Sequence, residues 1–258
     1  MRTANYAPLV LHGQRLVLRT LTDNDYESWL EVRTRNHDWL LKWEPRAANS
    51  GHLSEDRRSF VGRCAMRERE RQLGTAYGFG IFIGGQFAGE ITLSSIFRGP
   101  LQSAFIGYWV DESQAGHGYV PEAVVTLLQY SFETLHLHRI EINIIPRNNA
   151  SLRVVEKLNL RYEGVAERYL EIDGAWEDHA HFAITAEEWA DRAPELVANW
   201  ILPKVCLLYT SALSSNFSRG VGRRRNAVHA RQHRRPRSRK THRSSPSRFC
   251  WRNGGGFR

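Results

Sequence analysis

The sequence predicts an α+β fold, a mixed sheet with helices on its flanks. Three observations carry that expectation. Strand and helix patterns alternate through the second half of the chain. "AYGFGIFI", "GG" and "QFAGEITLSSI" form a hairpin, which an all-parallel sheet would not contain. One long helical stretch, "YVPEAVVTLLQYSFETLHL", follows the third strand.

The elements follow in order. Residues 15–21, "RLVLRTL", alternate as a strand. Thr22 or Asp23 caps the helix that follows, with Tyr26, Trp29, Leu30 and Val32 as its apolar positions. The aromatic stretch "HDWLLKWEP" (37–45) stops at a proline. Residues 53–74 read as a charged amphipathic helix ending at Gly74, with Phe60, Val61, Cys64 and Ala65 on its inner face. The hairpin strands are 76–83 and 86–96, and 102–110 is a third strand. A helix over 119–137 tolerates Pro121 in its first turn. A strand over 138–146, a helix over 148–160, two strands over 161–185 joined at "IDG", and a short helix at "AEEWADR" complete the pattern.

Charge divides the chain. Residues 206–258 hold 14 Lys and Arg and no Asp or Glu. Removing them from 36 basic and 27 acidic residues leaves 22 against 27 in residues 1–205, a net of −5. The tail has no apolar period and is expected to be disordered. An arginine-rich arm binds RNA by counterion release, so nucleic acid is a partner only if the tail is genuine. It also reads as an appendage without a role, or as a translated stretch that is not a natural C-terminus. The third reading is favoured, because "CLLYTS" resembles translated adapter sequence. Three cysteines in no framework fit a reducing compartment. No stretch approaches the ~20 apolar residues that span a bilayer, and the N-terminus lacks a signal-peptide apolar run. A cytoplasmic location with no membrane partner is expected.

The chemistry centres on "DESQAGHGYVPEAV" (111–124), a glycine turn between a strand and a helix. Backbone N–H groups at a helix N-terminus bind anions, and glycine lets a phosphate approach closely. A glycine-rich loop also serves simply to turn the chain. A Walker loop needs Gly-Lys-Ser/Thr, which is absent. A dinucleotide fingerprint needs a third glycine where Pro121 stands. The turn suits a pyrophosphate held by backbone alone, and coenzyme A fits that description. Paired histidines (136 and 138, 179 and 181) lack a third ligand with metal-site spacing, so no metal is expected.

With "NNASLRVVEKLNLRYEG" and "YLEIDGAWEDH" the chain resembles the GNAT acetyltransferase superfamily, specifically the RimJ/RimL branch that acetylates the N-terminal amine of ribosomal proteins. The resemblance implies a GNAT acyl-CoA N-acyltransferase fold with a central mixed sheet of six to seven strands over residues 10–190. Residues 191–205 are then a C-terminal extension, and 206–258 the basic tail. It implies acetyl-CoA as donor and, as acceptor, the N-terminal alanine of a ribosomal protein. Ala115, Gly116, His117, Gly118, Tyr119 and Val120 would form the pyrophosphate loop. Tyr108, Trp109 and Val110 would lie on the strand receiving the pantetheine arm. Asn148 and Ser151 would stand beside the thioester, Ser151 protonating the departing thiolate. The segment 36–45, with Trp39 and Trp43, would wall the acceptor groove.

Glu90 is the first candidate for the base that neutralises the amine, and Glu141 the second. His179 is read as shaping the acceptor site or closing the sheet. The alternatives are an acetyltransferase of a small-molecule amine and, in another class, a non-catalytic acyl-CoA- or RNA-binding module. The superfamily includes monomers and homodimers, and either state is expected.

Overall fold

The computed structural model describes residues 9–45 and 55–203. The basic tail and the first residues of the helix expected over 53–74 lie outside the described residues. The described chain forms one eight-stranded sheet. Its strands are β1 (Val10–His12), β2 (Leu16–Arg19), β3 (Tyr77–Ile83), β4 (Gln86–Phe97), β5 (Ser103–Val110), β6 (Arg139–Ile144), β7 (Arg161–Ile172) and β8 (Ala175–Thr185). Their order is β1-β2-β3-β4-β5-β6-β8-β7, antiparallel except for the β5–β6 pair. The sheet is mixed, as the hairpins require, but it has eight strands rather than six to seven. The extra strand is β1, three residues that pair with β2 from Val10↔Arg19 to His12↔Val17. So short a segment shows no alternation to detect.

Local chemistry sets the helices. Thr22 donates its backbone N–H and its hydroxyl to Asp25 (2.8 and 3.0 Å), which starts α1 (Tyr26–Arg35). A second short helix, α2, follows (His37–Leu41). In α3 (Arg57–Leu73), Asp56 accepts from the Ser59 amide at 2.9 Å, and Gly74 ends the helix at φ 68°. The inner face of α3 is not the one expected. Phe60 is buried and Arg63, Cys64 and Arg67 are half-buried, while Val61 and Ala65 are exposed. The helix turns its arginines inward, toward a carboxylate described below.

On the other side, α4 (Tyr119–Gln129) is buried from Val120 to Leu128 and forms the centre of the larger core with Leu18, Phe79, Ile91, Ile140 and Ile184. The helix expected to run to 137 passes at Tyr130 into a π-turn that ends at Thr134. The next helix, α5, spans Asn149–Lys157. The last, α6 (Ala186–Trp200), is longer than "AEEWADR" suggests. A Thr185–Glu188 capping box starts it, and it continues through Pro194 because Trp189 and Leu196 are buried against the core. A smaller core of Leu21, Trp29, Val32, Phe60, Phe82 and Phe87 joins α1 and α3 to the sheet.

Candidate active site

The parallel pair opens. β5 and β6 are paired only from Ser103↔Arg139 to Phe105↔Glu141, so Ile106–Val110 and Ile142–Ile144 have no partner in each other. The backbone itself directs the divergence. Ala88 is an extra residue in β4, because Phe82 faces Phe87 and Ile81 faces Gly89. Such a bulge bends its strand. A Cβ at Gly89 would lie 2.3 Å from the Trp109 carbonyl oxygen, so glycine is required for this approach. The Asp111 amide then bonds to the Ala88 carbonyl (2.8 Å), holding the end of β5 to β4 and away from β6. A cavity of ≈ 740 Å³ occupies the resulting V.

The glycine turn forms one wall. Asp111 accepts from the Ser113 amide (3.2 Å), and Gly116 and Gly118 adopt φ of 83° and 84°. Ala115, Gly116, Gly118, Tyr119 and Val120 line the cavity, and no atom lies within 4 Å of where a Gly116 Cβ would stand. The first amides of α4 have no partner within their helix, and a helix N-terminus of this kind attracts anions. His117 departs from expectation. It does not line the cavity. Its carbonyl accepts from Arg15 (3.0 Å) while the Arg15 guanidinium lies over Tyr119. Glu122 is fully buried and pairs with Arg15 at 2.8 Å, fixing α4 to the turn before β2.

Tyr108, Trp109, Val110, Asn148 and Ser151 also line the cavity. The Asn148 side chain accepts from the Ser151 amide at 3.1 Å and caps α5. The Tyr108 hydroxyl donates to the Ser151 carbonyl at 3.4 Å, and burial pushes its pKa up, so it stays a neutral donor. The Ser151 hydroxyl has no hydrogen bond among the described residues.

Glu90 reaches the cavity wall but is committed. It is 4% exposed, accepts from Trp29 Nε1 at 2.8 Å and is hydrogen-bonded by Arg67, with Arg63 at 3.9 Å. Burial pushes its pKa up, but the charges of Arg67 and Arg63 and the two hydrogen bonds outweigh burial and hold it below the usual range. A base for an amine near neutral pH needs the opposite shift, so the geometry disagrees with that role for Glu90. Glu141 is outside the cavity, bonded to Arg139 at 2.9 Å.

The opposite wall comes from α1, α2 and the residues after them. Trp39, Leu40, Trp43, Glu44 and Pro45 line it. Trp39 donates to the Val110 carbonyl at 3.3 Å, Arg147 lies 4.9 Å from the Trp43 ring centroid, and Pro45 bridges to Ile172. Arg33 holds both oxygens of Glu44. Asn36, buried at the α1–α2 corner, donates to Asp111 (3.0 Å) and accepts from the Glu112 amide (2.9 Å). Sequence reasoning missed Arg33, Asn36, Arg63 and Arg67. One signal was available: Phe60, Arg63, Cys64 and Arg67 recur at three- and four-residue spacing, one face of a helix. Among the described residues, no group of three His, Cys, Asp or Glu comes together to hold a metal ion.

An open parallel V with a backbone anion cradle at one side and an aromatic wall at the other is the architecture of an acyl-transferring enzyme. The chain belongs to the GNAT acetyltransferase family, whose domain model, "Acetyltransferase (GNAT) domain", matches residues 15–161. A Bacillus subtilis (strain 168) protein named "Probable N-acetyltransferase YjcK" is 36% identical over 178 residues, covering 68% of this chain and 96% of that protein. The [Ribosomal protein uS5]-alanine N-acetyltransferase of Escherichia coli (strain K12) is 30% identical over 188 residues, 72% of this chain and 95% of that one. The structure of Mycobacterium smegmatis RimJ in complex with CoA-disulfide superposes with a TM-score of 0.68 at 33% identity, covering 74% of this chain and 93% of that chain.

Proposed function

We propose that the chain transfers the acetyl group of acetyl-CoA to the N-terminal amine of a ribosomal protein, acting on alanine. The observation that carries the reading is the single cavity that joins the anion cradle of Ala115–Val120 to the Trp39–Trp43 wall through the open V. The ribosomal-protein N-acetyltransferases among its relatives support the acceptor class. We assign the activity to the domain expected over residues 10–190 together with the rest of α6, because that helix runs on to Trp200 and buries Leu196 in the same core, so residues 191–200 are not an extension; 206–258 is a separate basic tail.

The residues present fit the donor. Backbone N–H groups of the glycine turn would hold its pyrophosphate. The unpaired edge of β5 at Tyr108–Val110 would receive the pantetheine amides as a strand receives a neighbour. Its thioester would then lie toward Asn148 and Ser151. A backbone N–H of 108–110 is a preorganised donor to the oxygen on which negative charge develops. Ser151, which lines the cavity there, would give a proton to sulfur. The acceptor amine must be neutral to attack. A free α-amine has a pKa of about 7.7–8.0 against about 10.4 for lysine, so its neutralisation near pH 7 costs about 1 kcal/mol, and lysine several times that. A site without a strongly charged base therefore suits an α-amine.

The test is intact-mass analysis of ribosomal proteins incubated with the protein and acetyl-CoA. One N-terminus should gain the mass of one acetyl group, and Ser151→Ala should slow that gain about tenfold or more. Acetylation of small amines in preference to every ribosomal protein would overturn the acceptor.

A further inference from the structure

We propose that His179 is the base that takes the proton of the acceptor amine, a step that rests on the acetyl-transfer reading above. The place of His179 in the sheet is the first argument. β8 runs alongside β6 as far as Ala180↔Ile144, the last residue of β6. His179 is the next residue along β8, so it stands just past the end of β6, at the mouth of the open V. It lines the same cavity as Tyr108, Asn148 and Ser151. From β7, Tyr169 packs on its ring with centroids 5.4 Å apart.

The second argument is the tautomer. His179 Nδ1 lies 3.1 Å from the Glu177 carbonyl oxygen. A carbonyl only accepts, so Nδ1 carries the hydrogen and the neutral ring keeps its lone pair on Nε2. Nε2 makes no hydrogen bond with any described residue. His179 is 4% exposed, and burial, with His181 beside it, holds its pKa below the ordinary value, so the ring is neutral at neutral pH.

The third argument is elimination among the described residues that line the cavity. Their only carboxylates are Glu44 and Glu90, and arginines hold both. Arg33, Arg63, Arg67, Arg153 and Lys157 are cations without a lone pair to offer, and the tyrosines present hydroxyl donors. His181, two residues on, is not part of the cavity wall, and its Nε2 is sealed from solvent and unpartnered. His179 alone brings an uncommitted basic nitrogen to the cavity.

The proton account closes. The acceptor arrives as an ammonium and gives one proton to Nε2, which later returns it to solvent. The amine nitrogen forms its bond to the acetyl carbon as the carbon–sulfur bond breaks. The second nitrogen-borne proton replaces the one that Ser151 delivers to the departing sulfur, so free thiol and amide result.

The experiment is steady-state acetylation of an alanine-initiated peptide by the full chain, with coenzyme A affinity measured separately by calorimetry. Removal of a general base costs about 10²–10⁴-fold. His179→Ala should therefore lower kcat about 100-fold or more with coenzyme A affinity unchanged, and added imidazole should restore at least about tenfold of it. His179→Asn keeps a donor for the Glu177 carbonyl, so it should fold as the wild type does and be equally slow. Glu90→Gln should lose far less in kcat than either. Activity of His179→Asn within about threefold of wild type would overturn the assignment, as would a loss in His179→Ala that imidazole leaves untouched. A wild-type protein that acetylates no peptide would instead overturn the underlying reading, a result the His179 variants cannot mimic.

Discussion

The two ends of the cavity are built from different materials. At the cradle end, the contact surface is backbone: the glycine turn, the first turn of α4 and the unpaired edge of β5, set on a core of aliphatic residues. At the opposite end it is side chains. Arg33 meets Glu44, and Arg63 and Arg67 meet Glu90, beside Trp29 of the smaller aromatic core, while Trp39 and Trp43 line the same end of the cavity. A backbone cradle recognises what every donor molecule shares, a pyrophosphate and a chain of amides. A side-chain end is set by which residues face one another and is the part that can change with the acceptor. The two ends also fail differently: the first through backbone conformation, the second through charges left without partners.

The largest effect should come from the side-chain end. Arg67→Leu leaves Glu90 buried with Trp29 and a guanidinium at 3.9 Å as its remaining partners. Breaking a buried ion pair typically costs about 3–5 kcal/mol. Arg63 offsets part of that, so a loss of about 3 kcal/mol, or about 6–12 °C in Tm, is expected. Adding Glu90→Gln to the same chain should recover more than half, because the unpaired charge is gone. If Arg67→Leu melts within about 2 °C of wild type, the charged end is solvated and the contrast between the two ends collapses.

The cradle end should respond in affinity. Gly118 sits at φ 84° at the N-terminus of α4, and a Cβ there would find only ordinary contacts, 3.4 Å from Arg15 and Trp200. Space does not demand glycine; conformation does. An L-residue in this region costs about 1–2 kcal/mol, and a β-branched one can escape only by rotating the amides out of aim. Gly118→Val should weaken acetyl-CoA binding about tenfold, equal to about 1.4 kcal/mol, with little change in peptide KM. Calorimetric titration reads it directly. An unchanged Kd would mean that the donor is held by side chains after all.

This division also explains what was legible in the sequence. The glycine turn, α4 and the Asn148–Ser151 cap are contiguous, so each is written within about a dozen residues and could be read there. The two hairpins and the mixed character of the sheet were legible for the same reason; the insertion of β8 between β6 and β7 was not. The charged end could not be read in this way. Arg67 and Glu90 are brought together by a helix crossing the sheet, and "RERERQ" reads like any solvated helix until its partner strand is in place. The same blindness affected Glu90 itself. Its strand position marked it as a base, but two arginines distant in the chain make it an ion-pair anchor. His179 was visible only as a residue that shapes the acceptor site or closes the sheet, because its tautomer depends on the carbonyl of Glu177 two residues earlier on a strand whose register was unknown. His117 was placed in the pyrophosphate loop by the resemblance, yet it does not line the cavity, and its carbonyl is bonded to Arg15.

The smallest effect tests the joint between the two ends. Asp111 closes β5, is 2% exposed, and is bonded by Arg35 and by Asn36 from the α1–α2 corner. Burial pushes its pKa up, but Arg35, Asn36 and the Ser113 amide prevail and hold it below the ordinary aspartate value. A carboxyl whose folded pKa is depressed stabilises the fold fully above its unfolded pKa of about 3.9, and the benefit disappears as pH falls through the lower, folded value. Asp111→Asn should therefore cost about 1 kcal/mol at pH 7, about 2–4 °C in Tm. Its melting curve should converge on that of wild type as the pH is lowered from 5 toward 3, because the wild type is losing the same charge. Other paired carboxylates titrate in both chains and cancel in the difference. A gap between the two that stays constant over this range would show that Asp111 contributes shape and hydrogen bonding without charge. The aromatic wall would then be tied to β5 through Asn36 and the Trp39–Val110 hydrogen bond alone.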